Sequence, residues 1–121
     1  MKRILIADDD PASSELLTYF LRAEGFEVAT APDGNRALDL GMNGDFDVII
    51  LDFHMPVYDG GEVLEMVRRR RILHPVKVIA LTADESPDVR TALEGGHVDG
   101  FLTKPVDLTQ LRREIRRLLV A

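Results

Sequence analysis

Six residues of this chain carry side chains suited to joint chemistry, and each stands at the end of a short apolar run. Asp8, Asp9 and Asp10 follow residues 2–7, Asp52 follows 47–51, Thr82 follows 76–81, and Lys104 comes just after 98–102. Three or more carboxylates brought to one place repel strongly unless a cation sits among them. The chain has no cysteine, and the histidine close to these positions is His54. Oxygen-only ligands point to a hard cation, Mg²⁺ before Ca²⁺ or Zn²⁺. A carboxylate beside a bound divalent ion can attack phosphorus and become an aspartyl phosphate. Phosphoryl transfer is mostly positioning and charge neutralisation. Mg²⁺ and a lysine ammonium would neutralise, and a threonine hydroxyl would donate to one phosphoryl oxygen.

Such chemistry requires elements that bring these positions together. Residues 2–7 are short and rich in Ile and Leu, as suits a buried strand. Asp10-Pro11 then starts a helix, with Asp as N-cap and Pro at the first helical position. Leu16, Leu17, Phe20 and Leu21 recur at helical spacing through Glu24, and Gly25 ends the helix. Phe26, Val28 and Thr30 alternate as a second strand, and Asp33-Gly34 opens a helix running to about Asn43-Gly44. Residues 47–51 form a third strand stopping at Asp52, and residues 61–70 a third helix with Val63, Leu64 and Val67 inward. Residues 76–81 are strand four, 86–94 helix four and 98–102 strand five. Asp107 caps the last helix, with Gln110 completing a capping-box pattern, and Leu108, Leu111, Ile115, Leu118 and Leu119 form its apolar stripe.

Five strand–helix pairs with short loops imply an α/β fold: a doubly wound five-stranded parallel sheet with five helices on its two faces and right-handed crossovers. In such sheets ligands bind outside the carboxyl ends of the strands, near the switch in strand order. That is where the six residues fall.

At 121 residues, 45% hydrophobic and 30% charged, the composition is that of one globular domain with one core. No apolar run approaches the roughly 20 residues needed to span a bilayer. Residues 1–7 do not read as a signal peptide. A reducing cytoplasm is expected. The net charge of −6 argues against a general nucleic-acid binder and hides an asymmetry. Residues 1–66 carry 14 acidic and 4 basic side chains; residues 67–121 carry 7 acidic and 11 basic. The two halves are therefore expected to face different things.

The motifs ILIADDD at 4–10, IILDFHMPVYDG at 49–60, LTA at 81–83 and FLTKP at 101–105 together make the chain resemble a receiver domain of the bacterial two-component response-regulator family, over essentially its whole length. The resemblance implies a single receiver domain over residues 1–121, flavodoxin-like, with strand order 2-1-3-4-5. It implies Asp52 as phosphoacceptor and Mg²⁺ held by Asp8, Asp9, Asp52 and the backbone carbonyl of His54. It makes Lys104 the lysine that pairs with the phosphoryl group, Thr82 the switch hydroxyl and Phe101 the aromatic switch residue, here without the more familiar tyrosine hydroxyl. Lys104-Pro105 would be cis. His54 and Asp84 occupy variable positions that resemble those tuning acyl-phosphate lifetime. The implied partner is a histidine kinase or phosphotransfer protein that presents phosphohistidine. Output would run through the face of the fourth helix, fifth strand and fifth helix, to a homodimer or an effector, without direct nucleic-acid or membrane contact. The domain would not be a turnover enzyme but would assist its own phosphorylation and autodephosphorylation.

Other readings stand beside these. Asp10 is explained fully as a helix cap, Asp59-Gly60 as a turn, and His74 as a solvent-facing loop residue. Arg68 to Arg71 suit a solvated helix end, and Arg112, Arg113, Arg116 and Arg117 the polar side of the last helix. A flavodoxin-like electron carrier would share the fold but needs a Gly/Ser/Thr-rich phosphate loop where Asp8-Asp9-Asp10 stands. An aspartate-dependent phosphohydrolase would share the nucleophile but would usually place a second carboxylate at position 54. A phosphorylation-independent scaffold is disfavoured, since all the site residues are present. Met1 directly before the first strand suggests an N-terminal position, as a complete single-domain regulator or as the receiver of a longer protein.

Overall fold

The computed structural model describes residues 2–53, 62, 63, 65, 76–83, 91 and 98–119. Along the chain lie β1 (Arg3–Ala7), α1 (Pro11–Ala23), β2 (Glu27–Ala31), α2 (Gly34–Asn43), β3 (Val48–Asp52), β4 (Lys77–Thr82), β5 (Gly100–Thr103) and α3 (Leu108–Leu119). All four strand pairings are parallel, and the sheet order is β2-β1-β3-β4-β5. Strand order therefore reverses beside β1, with β2 on one side and β3 on the other. The expected α/β fold and strand order are thus both present.

Alternation along the strands divides the core in two, because successive side chains of a strand point to opposite faces. Leu5, Ala7, Ile49, Leu51, Val78 and Ala80 share one cluster with Ala37 of α2 and with Phe53 and Val63. Ile4, Ile6, Val48, Ile50, Ile79, Leu81 and Leu102 share the other with Leu17 and Leu21 of α1 and Leu111 and Ile115 of α3. A sheet covered on both faces has no use for polar residues within its strands, which explains the unbroken runs of β3 and β4.

The helix ends follow local chemistry. Asp10 accepts the Ala12 N–H at 3.1 Å and stands before Pro11, so two features of one dipeptide start α1. At its far end Gly25 adopts φ 95°. Its N–H donates to the Arg22 carbonyl and that of Phe26 to the Leu21 carbonyl, the paired bonds that a left-handed residue makes available. Asp33 caps α2 through the Arg36 N–H at 2.8 Å, and Asp107 caps α3 through Thr109 and Gln110.

Several strand boundaries differ from expectation. Asp52 and Thr82 are the last residues of β3 and β4 rather than the first beyond them. β5 begins at Gly100, two residues later than the pattern of residues 98–102 suggests. The reason is Asp99, whose carboxylate takes the Val78 N–H at 2.8 Å while its own N–H donates to the Val78 carbonyl. A side chain thus replaces a ladder step. The expected third and fourth helices lie mostly outside the described residues, as do His54, Asp59, Gly60, Arg68 to Arg71, His74 and Asp84. Glu62, Val63, Glu65 and Thr91 are helical, and Val63 is buried in the core. No helix among the described residues is long and apolar enough to cross a membrane.

Leu111 is fully buried where α3 meets the sheet. Leu111→Ala is expected to lower stability by about 2–5 kcal/mol in urea unfolding, through lost burial and the cavity left behind. Arg113→Ala, on the exposed side of the same helix, is expected to change it by less than about 0.5 kcal/mol.

Candidate functional site

Parallel strands all end at the same sheet edge, so the residues closing β1, β3, β4 and β5 become neighbours without being near in sequence. Backbone bonds carry the pairing slightly past the strand ends and hold the chain there. Asp8 N–H donates to Ala31 O at 3.0 Å, Phe53 N–H to Leu81 O at 3.1 Å, and Lys104 N–H to Thr82 O at 2.7 Å. The last of these aims Lys104 back across the edge. The Lys104-Pro105 bond beyond it is cis, as expected.

Among the described residues only three polar side chains are buried, and all belong to this edge. Asp8 is 2% exposed, Asp52 3% and Thr82 fully enclosed. Burying two carboxylates is unfavourable unless a counter-charge and hydrogen bonds accompany them. Lys104 supplies the charge. Its ammonium Nζ lies 3.1 Å from Asp52 Oδ2 and 3.2 Å from each oxygen of Asp8. Burial alone would lower the pKa of this ammonium. The hydrogen bond and negative charge of Asp52, joined by those of Asp8, outweigh burial and hold it above the ordinary 10.5.

Asp8 is held from a second side, since its Oδ1 also accepts the Asp10 N–H at 3.0 Å. Its Oδ2 lies close to the ammonium but off hydrogen-bonding alignment, and this buried atom has no hydrogen-bond partner. Asp9, by contrast, is exposed at the rim. One carboxylate oxygen from each of Asp8, Asp9 and Asp52 falls within 4.8 Å of the others. A buried acceptor without a partner, set among three carboxylates, suits a hard cation that takes oxygen ligands.

The structure therefore brings together five of the residues singled out from sequence: Asp8, Asp9, Asp52, Thr82 and Lys104. Asp10 caps α1, as its dipeptide suggested, and is not part of the three-carboxylate cluster. Phe101 stands on β5 opposite Ala80, half-buried against the cluster that holds Leu5, Ile49 and Val78. His54, assigned a carbonyl ligand by resemblance, lies outside the described residues.

Sequence reasoning missed three contacts. Lys104 bridges Asp8 as well as Asp52, although it was assigned only to a phosphoryl group. Asp99 pins the starts of β4 and β5 and also accepts Arg117 at its carbonyl, at 2.7 Å. Arg112 reaches Glu24 and lies 5.3 Å over the Phe20 ring, tying α3 to α1. The four arginines of α3 are thus not equivalent. Arg117 also bonds Glu114 at 2.6 Å, which with burial opposing and the Glu114 and Asp99 charges assisting raises its pKa further. The signal for the Lys104 bridge was present, since two carboxylates and one lysine end neighbouring strands. Nothing local in sequence marks the other two.

Comparison with known proteins agrees with this geometry. The family described as "Response regulator receiver domain" matches residues 4–116. The chain is 39% identical over 116 residues to the transcriptional regulatory protein TcrA of Mycobacterium tuberculosis, covering 96% of this chain and 45% of that one. The chain spans about half the length of the curated relatives it matches. Among solved structures, response regulator TrrA of Thermotoga maritima, in complex with Mg²⁺-BeF, superposes with TM-score 0.85 at 36% identity, covering 98% and 100% of the two chains. The receiver domain of Saccharomyces cerevisiae Ssk1, solved with the histidine phosphotransfer protein Ypd1, gives TM-score 0.85 at 30% identity, covering 97% and 88%.

The ion pairs of Lys104 have a defined dependence on pH. Its folded pKa lies above the ordinary 10.5, so its contribution is complete below that value and is lost as pH rises through the folded pKa. In metal-free buffer, Lys104→Met is expected to cost about 3 kcal/mol at pH 7, because two buried carboxylates lose their partner. Urea unfolding at a series of pH values should find that difference steady up to 10.5 and shrinking beyond it.

Proposed function

This chain belongs to the response regulator receiver domain family, and on that premise we propose that it accepts a phosphoryl group on Asp52 in two-component signal transduction. The donor is the phosphohistidine of a sensor histidine kinase or of a phosphotransfer protein. The observation that carries the reading is the pairing of a buried Asp52 with the Lys104 ammonium at 3.1 Å, beside Asp8 and Asp9. A buried carboxylate with a fixed cation beside it can be brought to a phosphorus atom without losing a shell of water at the moment of reaction.

Asp8, Asp9 and Asp52 fit Mg²⁺ by their oxygen-only donors and by the partnerless Asp8 Oδ2; the His54 carbonyl completes the set that the resemblance implies. Bound there, Mg²⁺ would neutralise the carboxylates and the incoming phosphoryl oxygens. The chain's own residues do the rest. A carboxylate oxygen of Asp52 forms the new P–O bond as the P–N bond to the donor imidazole breaks and its electron pair returns to nitrogen. Lys104 holds a phosphoryl oxygen by charge, and the Thr82 hydroxyl donates to another. Attack of water on the phosphorus later releases inorganic phosphate and restores Asp52. The domain is a phosphoacceptor that assists these two steps, and not a turnover enzyme.

Phosphorylation places new charge beside Thr82, at the end of β4, and β4 pairs with β5, which carries Phe101. Movement of Thr82 and Phe101 would bias a two-state equilibrium and remodel the output face that includes β5 and α3. A homodimer or an effector protein would read that face. The domain acts in the cytoplasm and makes no contact of its own with nucleic acid or membrane. The acidic loop after β1 supports neither an FMN-phosphate site nor an electron carrier.

Incubation with acetyl phosphate and Mg²⁺, followed by intact-protein mass spectrometry, tests the assignment. Wild type should gain one phosphoryl group and Asp52→Asn none. Equal incorporation by the two proteins would move the acceptor elsewhere. Lys104→Met should cut incorporation by about 10²-fold or more, the scale on which a single stabilising donor acts.

A further inference from the structure

We propose that the free edge of β2 is a self-association surface, across which a second copy of this chain pairs antiparallel about a two-fold axis at Ala29. β2 is an edge strand of the sheet and pairs on one side with β1. Its Glu27 N–H donates to the Lys2 carbonyl, and its Ala31 carbonyl accepts the Asp8 N–H. Backbone groups alternate in direction along a strand, so residues 27, 29 and 31 serve β1 while Val28 and Thr30 point their N–H and C=O outward. The Val28 carbonyl is covered by the Arg22 guanidinium at 3.3 Å. Among the described residues, the Val28 N–H and both backbone groups of Thr30 have no hydrogen-bond partner. An open edge of this kind is a template for another strand.

Beside the edge runs a groove of about 780 Å³, with Glu15, Thr18, Tyr19 and Arg22 of α1 on one wall and Val28 and Thr30 of β2 on the other. Its walls are not satisfied within one copy. Tyr19 is 79% exposed, the buried Thr18 hydroxyl has no hydrogen-bond partner, and Glu15 makes no ion pair among the described residues. Register and charge both select a second copy as the occupant. A two-fold axis at Ala29 sets Val28 of each copy opposite Thr30 of the other, and residues so placed exchange both backbone hydrogen bonds. Glu27 then faces Ala31, so no like charges oppose each other along the strands. α1 runs back along β2, with Glu15 and Arg22 about two helical turns apart, roughly 10 Å. The axis inverts the second helix, which brings Glu15 of one copy to the level of Arg22 of the other. Arg22 thus has two roles. In a single copy it covers the Val28 carbonyl; in the pair it turns to the partner's Glu15 and uncovers that carbonyl for the new ladder. The opposite edge of the sheet, β5 with α3, is left open to an effector.

Sedimentation equilibrium of the whole chain over a concentration series tests the pairing. Wild type should pass from monomer to dimer with a midpoint below about 1 mM. Thr30→Pro removes an outward N–H while keeping the β1 ladder, and should weaken the dimer by about tenfold or more. Glu15→Arg and Arg22→Glu should each weaken it as well. The double variant carrying both reversals restores opposite charges across the axis and should recover most of the loss. Both positions are exposed on α1, so this arm does not depend on the proline variant folding. Amide hydrogen exchange reads the contact directly: the Val28 and Thr30 amides should gain protection as wild-type concentration rises through the midpoint. A wild type that stays monomeric to about 1 mM overturns the proposal. So does a dimer in which these two amides stay unprotected, since the second copy then sits elsewhere, on the β5 and α3 face or another surface. A double variant as weak as the single reversals overturns the placing of Glu15 against Arg22, and with it the axis at Ala29.

Discussion

Two carboxylates buried at one edge of the sheet, with a single ammonium between them, set the terms for everything around them. Asp8 and Asp52 are almost wholly withdrawn from water, and an uncompensated buried carboxylate is costly enough that the fold must answer it. Lys104 answers it from a strand end far away in sequence, across the width of β4 and β5. That requires β1, β3, β4 and β5 to end at one level, and it requires the backbone beyond β5 to be held so that Lys104 turns inward. The parallel register and the bond from Lys104 to the Thr82 carbonyl do both. The apolar interior on either side of the sheet contains no other buried polar side chain among the described residues, so the strain of placing charge inside the protein is confined to the one place where chemistry needs it.

The same arrangement explains how a small domain can carry a signal. A pocket that gathers three carboxylates around one lysine suits the divalent ion and the phosphoryl group proposed for it. Thr82, the fully enclosed end of β4, stands beside this pocket, and the paired strand β5 carries the half-buried Phe101. Phe101 packs against the core cluster that holds Leu5, Ile49 and Val78, so its position depends on the packing of β4 and β5. At the far side of the sheet, Asp99 ties the starts of β4 and β5 together and links them to Arg117 of α3. β5 is therefore held at both ends, by Asp99 at its start and by Lys104 at its finish.

Much of this was legible before folding was considered. Each helix start among the described residues is written locally: Asp10 with Pro11, Asp33 with Gly34, Asp107 with Gln110. Apolar runs ending in Asp52 or Thr82 read as buried strands, because a strand covered on both faces tolerates no polar residue until it reaches the edge. The start of β5 was misjudged, since Val98 is apolar and buried but stands before the strand; the side chain of Asp99 interrupts the ladder in a way that hydropathy does not register. The basic helix α3 looked uniform as a string of arginines. In space Arg112 is committed to Glu24 and Phe20, and Arg117 to Glu114 and Asp99. Arg113 and Arg116 are left exposed to solvent.

What could be known from the chain alone was therefore the kind of fold, the edge at which its reactive residues gather, and the chemistry those residue types allow. Strand periodicity and caps act over a few residues and leave their mark in local order. The division of labour inside the site came only with folding. That Asp8 is buried and Asp9 exposed, though adjacent, is decided by how the end of β1 packs against its neighbours. That Lys104 holds both Asp8 and Asp52 follows from which strands lie side by side. Electrostatic partnership depends on distance and exclusion of water, and both are fixed by the packing of strands whose neighbours in space are far apart in the chain.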